Sequence, residues 1–204
     1  MPPDFILEQS HQGLVAGIDE AGRGPWAGPV VAAAVILDQG ALPPGIDDSK
    51  ALSAKRRARL FDDVMASAQV GVGEASVGEI DDLNILAATM LAMARAISGL
   101  GEPPDHVLVD GNRLPDLPCP GTAVVGGDRL SLSIAAASII AKVTRDRLMA
   151  SLAEEFSGYG WERNAGYGTA QHQEGLAKFG VTPHHRRSFA PIRRLLEEAS
   201  PIRG

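Results

Sequence analysis

The stretch that decides the fold is residues 15–37, which read VAGIDEAGRGPWAGPVVAAAVIL. An apolar approach ends in two adjacent acids, Asp19 and Glu20, and a segment rich in glycine and proline separates them from the apolar run at residues 30–37. The pattern predicts a strand, a loop and a second strand. Removing a carboxylate from water is costly unless a partner compensates. Two acids at the exit of a buried strand therefore predict a bound metal cation.

Composition indicates an ordinary globular protein. The chain has 204 residues, of which 45% are hydrophobic and 22% charged, and no linker divides it, so we expect a single domain over residues 1–204. Cys119 is the only cysteine, which excludes an internal disulfide and thiolate-rich metal sites. The beginning of the chain lacks a signal-peptide pattern, and the longest apolar run is too short to span a bilayer. We expect a cytoplasmic location.

The charges are segregated along the chain. The net charge of −6 by itself disfavours a polyanionic ligand, but Arg23 is the only basic residue before Lys50, among seven acids. Residues 50–59 and 175–196 carry basic residues and no acid. The basic residues of the second stretch are Lys178, Arg186, Arg187, Arg193 and Arg194. An acidic centre with basic flanks suits a metal site beside a phosphate backbone, although solvated helix faces would give the same clusters.

The rest of the chain predicts helices interleaved with strands. The predicted elements are a helix from Ser53 to about Ser67, a strand over 69–77, a buried helix over 84–98, short strands over 106–109 and 122–125, a long helix from 130 to about 156, a loop over 157–168, and helices over 169–179 and 192–199. Three strands before the apolar helix indicate an antiparallel meander. The two later strands indicate a mixed sheet with parallel members.

Two further acids follow the short strands. Asp110 comes directly after residues 106–109, and Asp128 follows residues 122–125 after two glycines. Ligand sites in such sheets gather at the carboxyl ends of strands, and Asp and Glu without His or Cys favour Mg²⁺ or Mn²⁺. Singly, Asp110 is also typical of a turn and Asp128 of a helix N-cap. Together the acids predict a metal-dependent enzyme that acts on phosphate esters.

Strand geometry sets a condition for this site. Neighbouring residues on a regular strand face opposite sides, so Asp19 and Glu20 share a site only if the strand ends or bulges there. Gly22 and Gly24 follow at once and permit such a departure.

The motifs themselves closely resemble ribonuclease HII, the bacterial type 2 ribonuclease H. They run in the family's order over about residues 15–189: GIDEAGRGP at 17–25, DSK at 48–50, VDGN at 109–112, GD at 127–128, AASIIAKVTRD at 136–146, GYGT at 166–169 and HRRSF at 185–189. The resemblance implies an α/β ribonuclease H-like fold, with a five-stranded mixed sheet flanked by helices. The core is expected over about residues 10–190, with a helical C-terminal extension from about residue 157.

The resemblance also implies an activity. Such enzymes are metal-dependent endoribonucleases that cut the RNA strand of RNA–DNA hybrids and nick duplex DNA 5′ of an embedded ribonucleotide, leaving 3′-hydroxyl and 5′-phosphate ends. These reactions belong to DNA replication and ribonucleotide excision repair. Two Mg²⁺ or Mn²⁺ ions are implied, with nucleic acid as the partner, and we expect a monomer. The implied catalytic and metal-binding carboxylates, here called the carboxylate cluster, are Asp19, Glu20, Asp110 and Asp128.

Substrate-binding roles follow from the same resemblance, position by position. Gly22, Arg23 and Gly24, here called the glycine loop, match the loop whose amides and carbonyls contact the ribose 2′-hydroxyl, the group that distinguishes RNA from DNA. Tyr167 matches the tyrosine that packs on the sugar at the RNA–DNA junction and helps to select a deoxyribonucleotide on its 3′ side. An ordinary half-buried loop tyrosine is the less favoured alternative. The residues expected to bind backbone phosphates are Lys50, Ser138, Lys142, Arg186 and Arg187.

Other residues receive structural assignments. Ser138, Lys142 and Asp146 share one helix face at i, i+4 and i+8, and we expect Asp146 to form a structural ion pair. The two-metal mechanism needs no histidine, so the three histidines of the matched region are expected at the surface or at helix ends. These are His172, His184 and His185.

Two other functions remain open from the sequence. A type 3 ribonuclease H would prefer longer RNA tracts, but fewer than twenty residues precede the first motif, which leaves no room for the extra N-terminal domain of that class. A non-catalytic module that binds hybrids would keep the fold and the basic flanks. The four intact acids of the carboxylate cluster disfavour it.

Overall fold

The structure, a computed structural model, describes residues 2–199 and contains one five-stranded mixed sheet of order β3-β2-β1-β4-β5. Strands β1, β2 and β3 pair antiparallel, whereas β4 pairs parallel with both β1 and β5. The strands are β1 (Val15–Ala21), β2 (Val30–Ile36), β3 (Gln69–Ala75), β4 (His106–Asp110) and β5 (Gly121–Val124). The predicted fold class is confirmed, including the meander and the parallel members.

Helices cover both faces of the sheet. They are α1 (Ile6–Gln9), α2 (Ala54–Ser67), α3 (Val77–Leu83), α4 (Ile85–Ser98), α5 (Leu132–Glu155), α6 (Trp161–Asn164), α7 (Ala170–Phe179) and α8 (Ala190–Ala199). Ser53, Asn84 and Thr169 cap α2, α4 and α7, because each side-chain oxygen accepts an amide of the first turn. Among the described residues, none of these helices has the length and apolar character needed to cross a membrane.

Three helices depart from the predicted elements, and the first of them, α1, lies where no element was predicted. Alternation predicts that the third strand continues to residue 77, but Ser76 and Glu79 form a capping box that ends β3 at Ala75 and begins α3. The region predicted as a loop, residues 157–168, contains the single turn α6, preceded by Gly160 in the left-handed conformation. One turn is too short to show helical periodicity.

The core explains why the second half of the opening stretch is apolar without interruption. Every residue of β2 is buried, because the sheet is covered on both sides. Ala32 and Ala34 pack with α4, whereas Ala33 and Val35 pack with α5 and α2. Helix α5 also crosses directly over β1, where a Cβ atom on Gly17 would collide with the main chain at Ser133.

A second apolar cluster joins the C-terminal helices to the sheet. Its buried residues are Ala27, Met149, Tyr159, Trp161, Leu176 and Ile192, which bring together α5, α6, α7, α8 and the loop after β1. The predicted C-terminal helices are therefore present, and they pack against the loop that leaves the acidic strand.

Candidate active site

The carboxylate cluster gathers at one end of the sheet. Asp19 and Glu20 lie on β1 and Asp110 is the last residue of β4. Asp128 was predicted at the exit of a strand, but it lies in the 3-10 turn Gly127–Arg129 that follows β5. The turn brings it back toward β4, since the Gly127 amide donates to Asp110 Oδ1 over 2.7 Å.

Asp19 and Glu20 meet the geometric condition without a bulge. They pair in regular antiparallel register with Ala33 and Ala32 of β2, so β1 stays regular on that side. On the other side, pairing with β4 stops after Ile18. Beyond this point the β4-facing edge of β1 is open, Asp19 and Glu20 both line the same cleft, and the charge of Asp110 raises the pKa of each.

The acids act electrostatically as one group. The pKa of Asp19 is raised well above its ordinary value by burial first and then by the charges of Glu20, Asp110 and Asp128. The pKa of Glu20 is raised by burial, against the opposing effect of Arg23 and with a contribution from Asp110. Burial also raises the pKa of Asp128, again with a contribution from Asp110. The carboxylate cluster therefore repels itself and would be relieved by a cation.

Protein cations partly offset this repulsion. Arg23 reaches Glu20 at 3.2 Å and Lys50 reaches Asp128 at 3.7 Å. Burial opposes the charge of Lys50, but the nearby carboxylates, Asp128 foremost, raise its pKa. A fifth acid, Asp48, also raises the pKa of Asp128. The sequence predicts no role for Asp48, and the only signal for one is its position two residues before Lys50.

The donor set fits a hard divalent ion. Within residues 2–199, no three Asp, Glu, His or Cys side chains stand close enough to form a complete ligand set by themselves. Mg²⁺ keeps several waters and is bound through one or two carboxylates together with substrate phosphates. Oxygen donors that repel one another at an open sheet end suit that mode of binding.

A cleft of about 350 Å³ opens beside the acids. It is lined by Asp19, Glu20, Ala21, Gly22, Arg23, Gly24, Ser49, Lys50, Ser138, Lys142, Arg145 and Tyr167. Asp110 lies in an adjoining hollow that shares Glu20 and Arg23 with the cleft. Most of the predicted site residues thus face one continuous depression.

Helix α5 supplies one wall of the cleft. Ser138 is buried there, and its hydroxyl accepts the Ser49 amide at 3.3 Å. Lys142 lies one turn further along and pairs with Asp146 at 2.7 Å. The predicted ion pair of Asp146 is therefore confirmed, and phosphate binding by Ser138 and Lys142 stays a prediction.

The phosphate-binding role predicted for Arg186 is wrong. Its side chain is fully buried. The guanidinium donates to the carbonyl oxygens of Gly22, Arg23, Gly28 and Pro29 at 2.6 to 3.1 Å. A guanidinium enclosed in this way cannot reach a phosphate, so Arg186 holds the glycine loop from behind.

Arg145 holds the neighbouring main chain in the same manner, and sequence reasoning missed it. From α5 it donates to the carbonyls of Ala27, Pro29 and Ala165. Burial lowers the pKa of Arg145 to about 10 and that of Arg186 to about 9. Both groups remain charged at neutral pH, which makes them strong donors to carbonyls. The only signal in the sequence was a cation within the otherwise apolar face of α5.

The arginines determine which groups of the glycine loop face the cleft. In a trans peptide the C=O of one residue and the N–H of the next point in opposite directions. Because Arg186 binds the carbonyls of Gly22 and Arg23, the amides of Arg23 and Gly24 point away from it. Within residues 2–199 neither amide donates to another protein group. Amides, more than carbonyls, are the free groups of the loop.

Tyr167 stands opposite the glycine loop. Its side chain is half exposed, and a Cβ atom on Gly24 would lie 3.3 Å from its ring. The histidines behind it are predicted at the surface or at helix ends, and this holds only in part. His172 lies in the first turn of α7 but is fully buried, His185 is fully buried outside any helix, and His184 is half-buried. Because burial depends on contacts distant in sequence, the local pattern gave no signal for it.

Comparisons with known proteins show which family the chain resembles. The family model described as Ribonuclease HII matches residues 16–192. The chain is 61% identical to Ribonuclease HII of Rhodospirillum rubrum over 97% of its own length and 94% of that protein. It resembles the crystal structure of ribonuclease H2 from Pyrococcus horikoshii with a TM-score of 0.75 and 28% identity, over 91% of this chain and 98% of that one.

A more distant structure shares only the fold. The chain superimposes on a Bst-RNase HIII solved in complex with Mn²⁺ with a TM-score of 0.75 and 19% identity. The overlap covers 95% of this chain and 72% of that one.

Proposed function

The chain belongs to the ribonuclease HII family of nucleases, which hydrolyse the RNA strand of RNA–DNA hybrids, and we propose that it also nicks duplex DNA 5′ of a single embedded ribonucleotide. The observation that carries the proposal is the shared cleft, because two acids of the carboxylate cluster, the residues of the glycine loop and Tyr167 line it together. Chemistry and recognition of the RNA–DNA junction are then performed side by side.

The carboxylate cluster would hold the metal. Two Mg²⁺ or Mn²⁺ ions, when bound, would supply an activated water and stabilise the leaving oxygen, so that the products carry 5′-phosphate and 3′-hydroxyl ends. The Mn²⁺ in the structure of the distant RNase HIII supports a divalent ion. The acids contribute only oxygen donors, and the raised pKa values of Asp19, Glu20 and Asp128 express a repulsion that cation binding relieves.

The neighbouring residues would bind and orient the substrate. The amides of Arg23 and Gly24 donate to the ribose 2′-hydroxyl, which a deoxyribonucleotide lacks. The Tyr167 ring packs on the next sugar. Lys50 and Lys142 contact phosphates, which fixes the position of the duplex without reading its sequence. The glycine loop and Tyr167, on opposite borders of the cleft, thus select the RNA–DNA junction.

The same proposal includes the setting of the enzyme. Nucleic acid is its partner, and the selection of an isolated ribonucleotide suits ribonucleotide excision repair and removal of RNA during DNA replication. A cytoplasmic location follows from that substrate in a bacterium. A monomeric state stays a prediction.

A nicking assay tests the proposal directly. The substrate is a labelled DNA duplex with one ribonucleotide, incubated with purified protein in Mg²⁺ or Mn²⁺, and the ends of the product are mapped. We expect a single cut 5′ of the ribonucleotide that EDTA abolishes. Asp110→Asn is the matched control, because the amide oxygen can still accept the Gly127 amide while the charge is lost.

Two results would contradict the proposal. Wild-type protein that is folded and cuts an all-RNA strand but leaves the single ribonucleotide intact would remove the junction selectivity. Unchanged cleavage by Asp110→Asn would remove that residue from the catalytic set.

A further inference from the structure

A pair of buried histidines lies behind the cleft. His172, on α7, and His185, in the segment before α8, are fully buried, and their Nε2 atoms lie 3.0 Å apart. Two imidazoles in contact need a defined proton arrangement, because an N–H must meet a lone pair. We call His172 and His185 the histidine pair.

Main-chain groups at both ends fix these protons. His172 Nδ1 lies 3.0 Å from the carbonyl oxygen of Tyr167, which only accepts, so Nδ1 carries the proton. At the other end the Thr182 amide donates to His185 Nδ1 over 2.9 Å, so His185 carries its proton on Nε2. That proton points to the bare Nε2 of His172, which also accepts from the Trp161 indole at 3.2 Å. The two tautomers agree.

An added proton would disrupt this arrangement. On His172 Nε2 it would face two donors. On His185 Nδ1 it would face the Thr182 amide, and the Thr182 hydroxyl, also 2.9 Å from Nδ1, would have to rotate to accept it. Burial lowers the pKa of both histidines, that of His185 to about 4. The titratable side chains that face the pair are Tyr159, whose ring meets both imidazoles, and His184. In the described part of the chain no carboxylate contributes to either shift.

The histidine pair connects the two borders of the cleft. His172 binds the main chain of Tyr167, whose ring approaches Gly24. His185 precedes Arg186, which binds the carbonyls of the glycine loop. One hydrogen bond between Nε2 atoms thus joins the loop that carries the tyrosine to the residue that holds the glycine loop.

We propose that His172 and His185 are positioning residues that hold the Tyr167 ring in register with the glycine loop and thereby set the preference for an RNA–DNA junction. Neither histidine lines the cleft. They act through the main chain of Tyr167 and through the segment that contains Arg186. This inference rests on the proposed function, because it assigns the junction preference to the same cleft.

The test exploits the two nitrogen positions of an imidazole. Asn places an amide near the position of Nδ1, and Gln places one near the position of Nε2. His172→Asn therefore retains a donor to Tyr167 but loses the acceptor for His185, whereas His172→Gln retains an acceptor for His185 but loses the donor to Tyr167. At His185, the Gln variant retains a donor to His172 and the Asn variant does not.

The measured quantity is the ratio of kcat/KM for the single-ribonucleotide duplex to kcat/KM for an all-RNA hybrid. We expect this ratio to fall about tenfold in both His172 variants and in His185→Asn, since each breaks one link and a small displacement of a positioning group has effects of this size. We expect it to stay within about threefold of wild type in His185→Gln. Loss of packing volume alone would spare the larger residue, Gln, at both positions, so a wild-type ratio in His172→Gln would overturn the proposal.

Tyr159→Phe is the matched control. It removes the hydrogen bond from the Tyr159 hydroxyl to Gly180 in the same buried cluster, without a link to Tyr167. Its ratio should equal that of wild type, and a tenfold fall would show that general loosening of the cluster is enough.

A second measurement does not depend on activity. In ¹⁵N-histidine-labelled protein at neutral pH, NMR should show His172 protonated on Nδ1 and His185 on Nε2. The opposite tautomer at either residue, or a charged imidazole, would overturn the inference even if cleavage is normal.

If wild type fails to nick the single-ribonucleotide duplex, the proposed function fails and the junction role falls with it. If wild type nicks and the four variants keep its ratio, only the inference fails.

Discussion

The carboxylate cluster and the buried groups behind the cleft differ in how far their buried polar atoms are compensated by partners. At the sheet end, like charges crowd together and the pKa values of Asp19, Glu20 and Asp128 are raised. Behind the cleft, Arg145 and Arg186 donate to main-chain carbonyls. His172 also donates to a carbonyl, and the two histidines share a hydrogen bond. Within residues 2–199 the buried side-chain atoms without a hydrogen-bond partner are Glu8 Oε2 and Ser133 Oγ, and neither belongs to the arginines or to the histidine pair.

The difference indicates which part of the site depends on a bound ion for its stability. The like charges of the carboxylate cluster would be relieved by a bound cation, so we expect its stability and activity to depend on what binds. The groups behind the cleft are complete in the protein alone, so they form a rigid support for recognition. Removing a charge should therefore stabilise the first region and destabilise the second.

Asp19→Asn gives the largest expected effect. Cleavage should fall by about 10³-fold or more, the scale of losing a group that stabilises developing charge. The midpoint of thermal unfolding in metal-free buffer should rise by a few degrees, because a buried carboxylate repelled by its neighbours is removed. Steady-state kinetics and calorimetry check the two results. A lower midpoint would mean that Asp19 is not under repulsion.

Arg186→Lys tests the opposite region. The variant leaves several carbonyls of the loop without donors, and we expect it to lose about 2–4 kcal/mol of unfolding free energy in urea. The matched control is Arg187→Ala, at the exposed neighbouring position, which should change stability by less than about 0.5 kcal/mol. Equal stability of the two variants, with equal loss of substrate affinity, would restore Arg186 as a phosphate ligand.

The pH dependence of stability should have opposite signs in the two regions. His185 has a folded pKa of about 4, below its unfolded value near 6.5, so its contribution is complete above pH 6.5 and is lost as the pH falls toward 4. His185→Gln should reduce that acid loss by about 1–3 kcal/mol. Asp19 has a raised folded pKa, so its stability cost appears as the pH rises. Urea titrations across pH 4 to 8 compare the unfolding free energies of His185→Gln and Asp19→Asn with that of wild type.

Lys50→Ala gives the smallest expected effect. The Lys50 side chain is largely exposed, and its ion pair with Asp128 is long, at 3.7 Å. The free energy of unfolding should therefore hardly change. Loss of one phosphate contact should weaken duplex binding by about threefold to tenfold and lower the salt slope of binding by about one. Fluorescence anisotropy in metal-free buffer at several salt concentrations measures both. An unchanged slope would exclude a phosphate contact.

Local sequence was a good guide wherever local physics decides. Alternation and apolar runs predicted the five strands, and Ser53, Asn84 and Thr169 begin helices because their side chains accept amides of the next turn. Helix α3, one of the exceptions, shows a competition between local signals, since an alternating run leads into a capping box at Ser76.

Burial was the quantity that sequence could not supply. The run at residues 185–189 contains a histidine and two arginines, which is typical of a surface segment, yet His185 and Arg186 are fully buried and Arg187 is exposed. The carbonyls that satisfy Arg186 belong to residues more than 150 positions away. No local pattern contains such partners.

The sequence by itself determined the sheet, the order of the motifs, the family and the acids of the carboxylate cluster, because strand periodicity and side-chain chemistry are local properties. Only the tertiary structure decided how Asp19 and Glu20 share a site on a regular strand, which loop groups face the cleft, and that the histidine pair is buried. Each of these depends on the end of pairing with a neighbouring strand or on hydrogen bonds between distant segments. Such contacts exist only once the chain has folded.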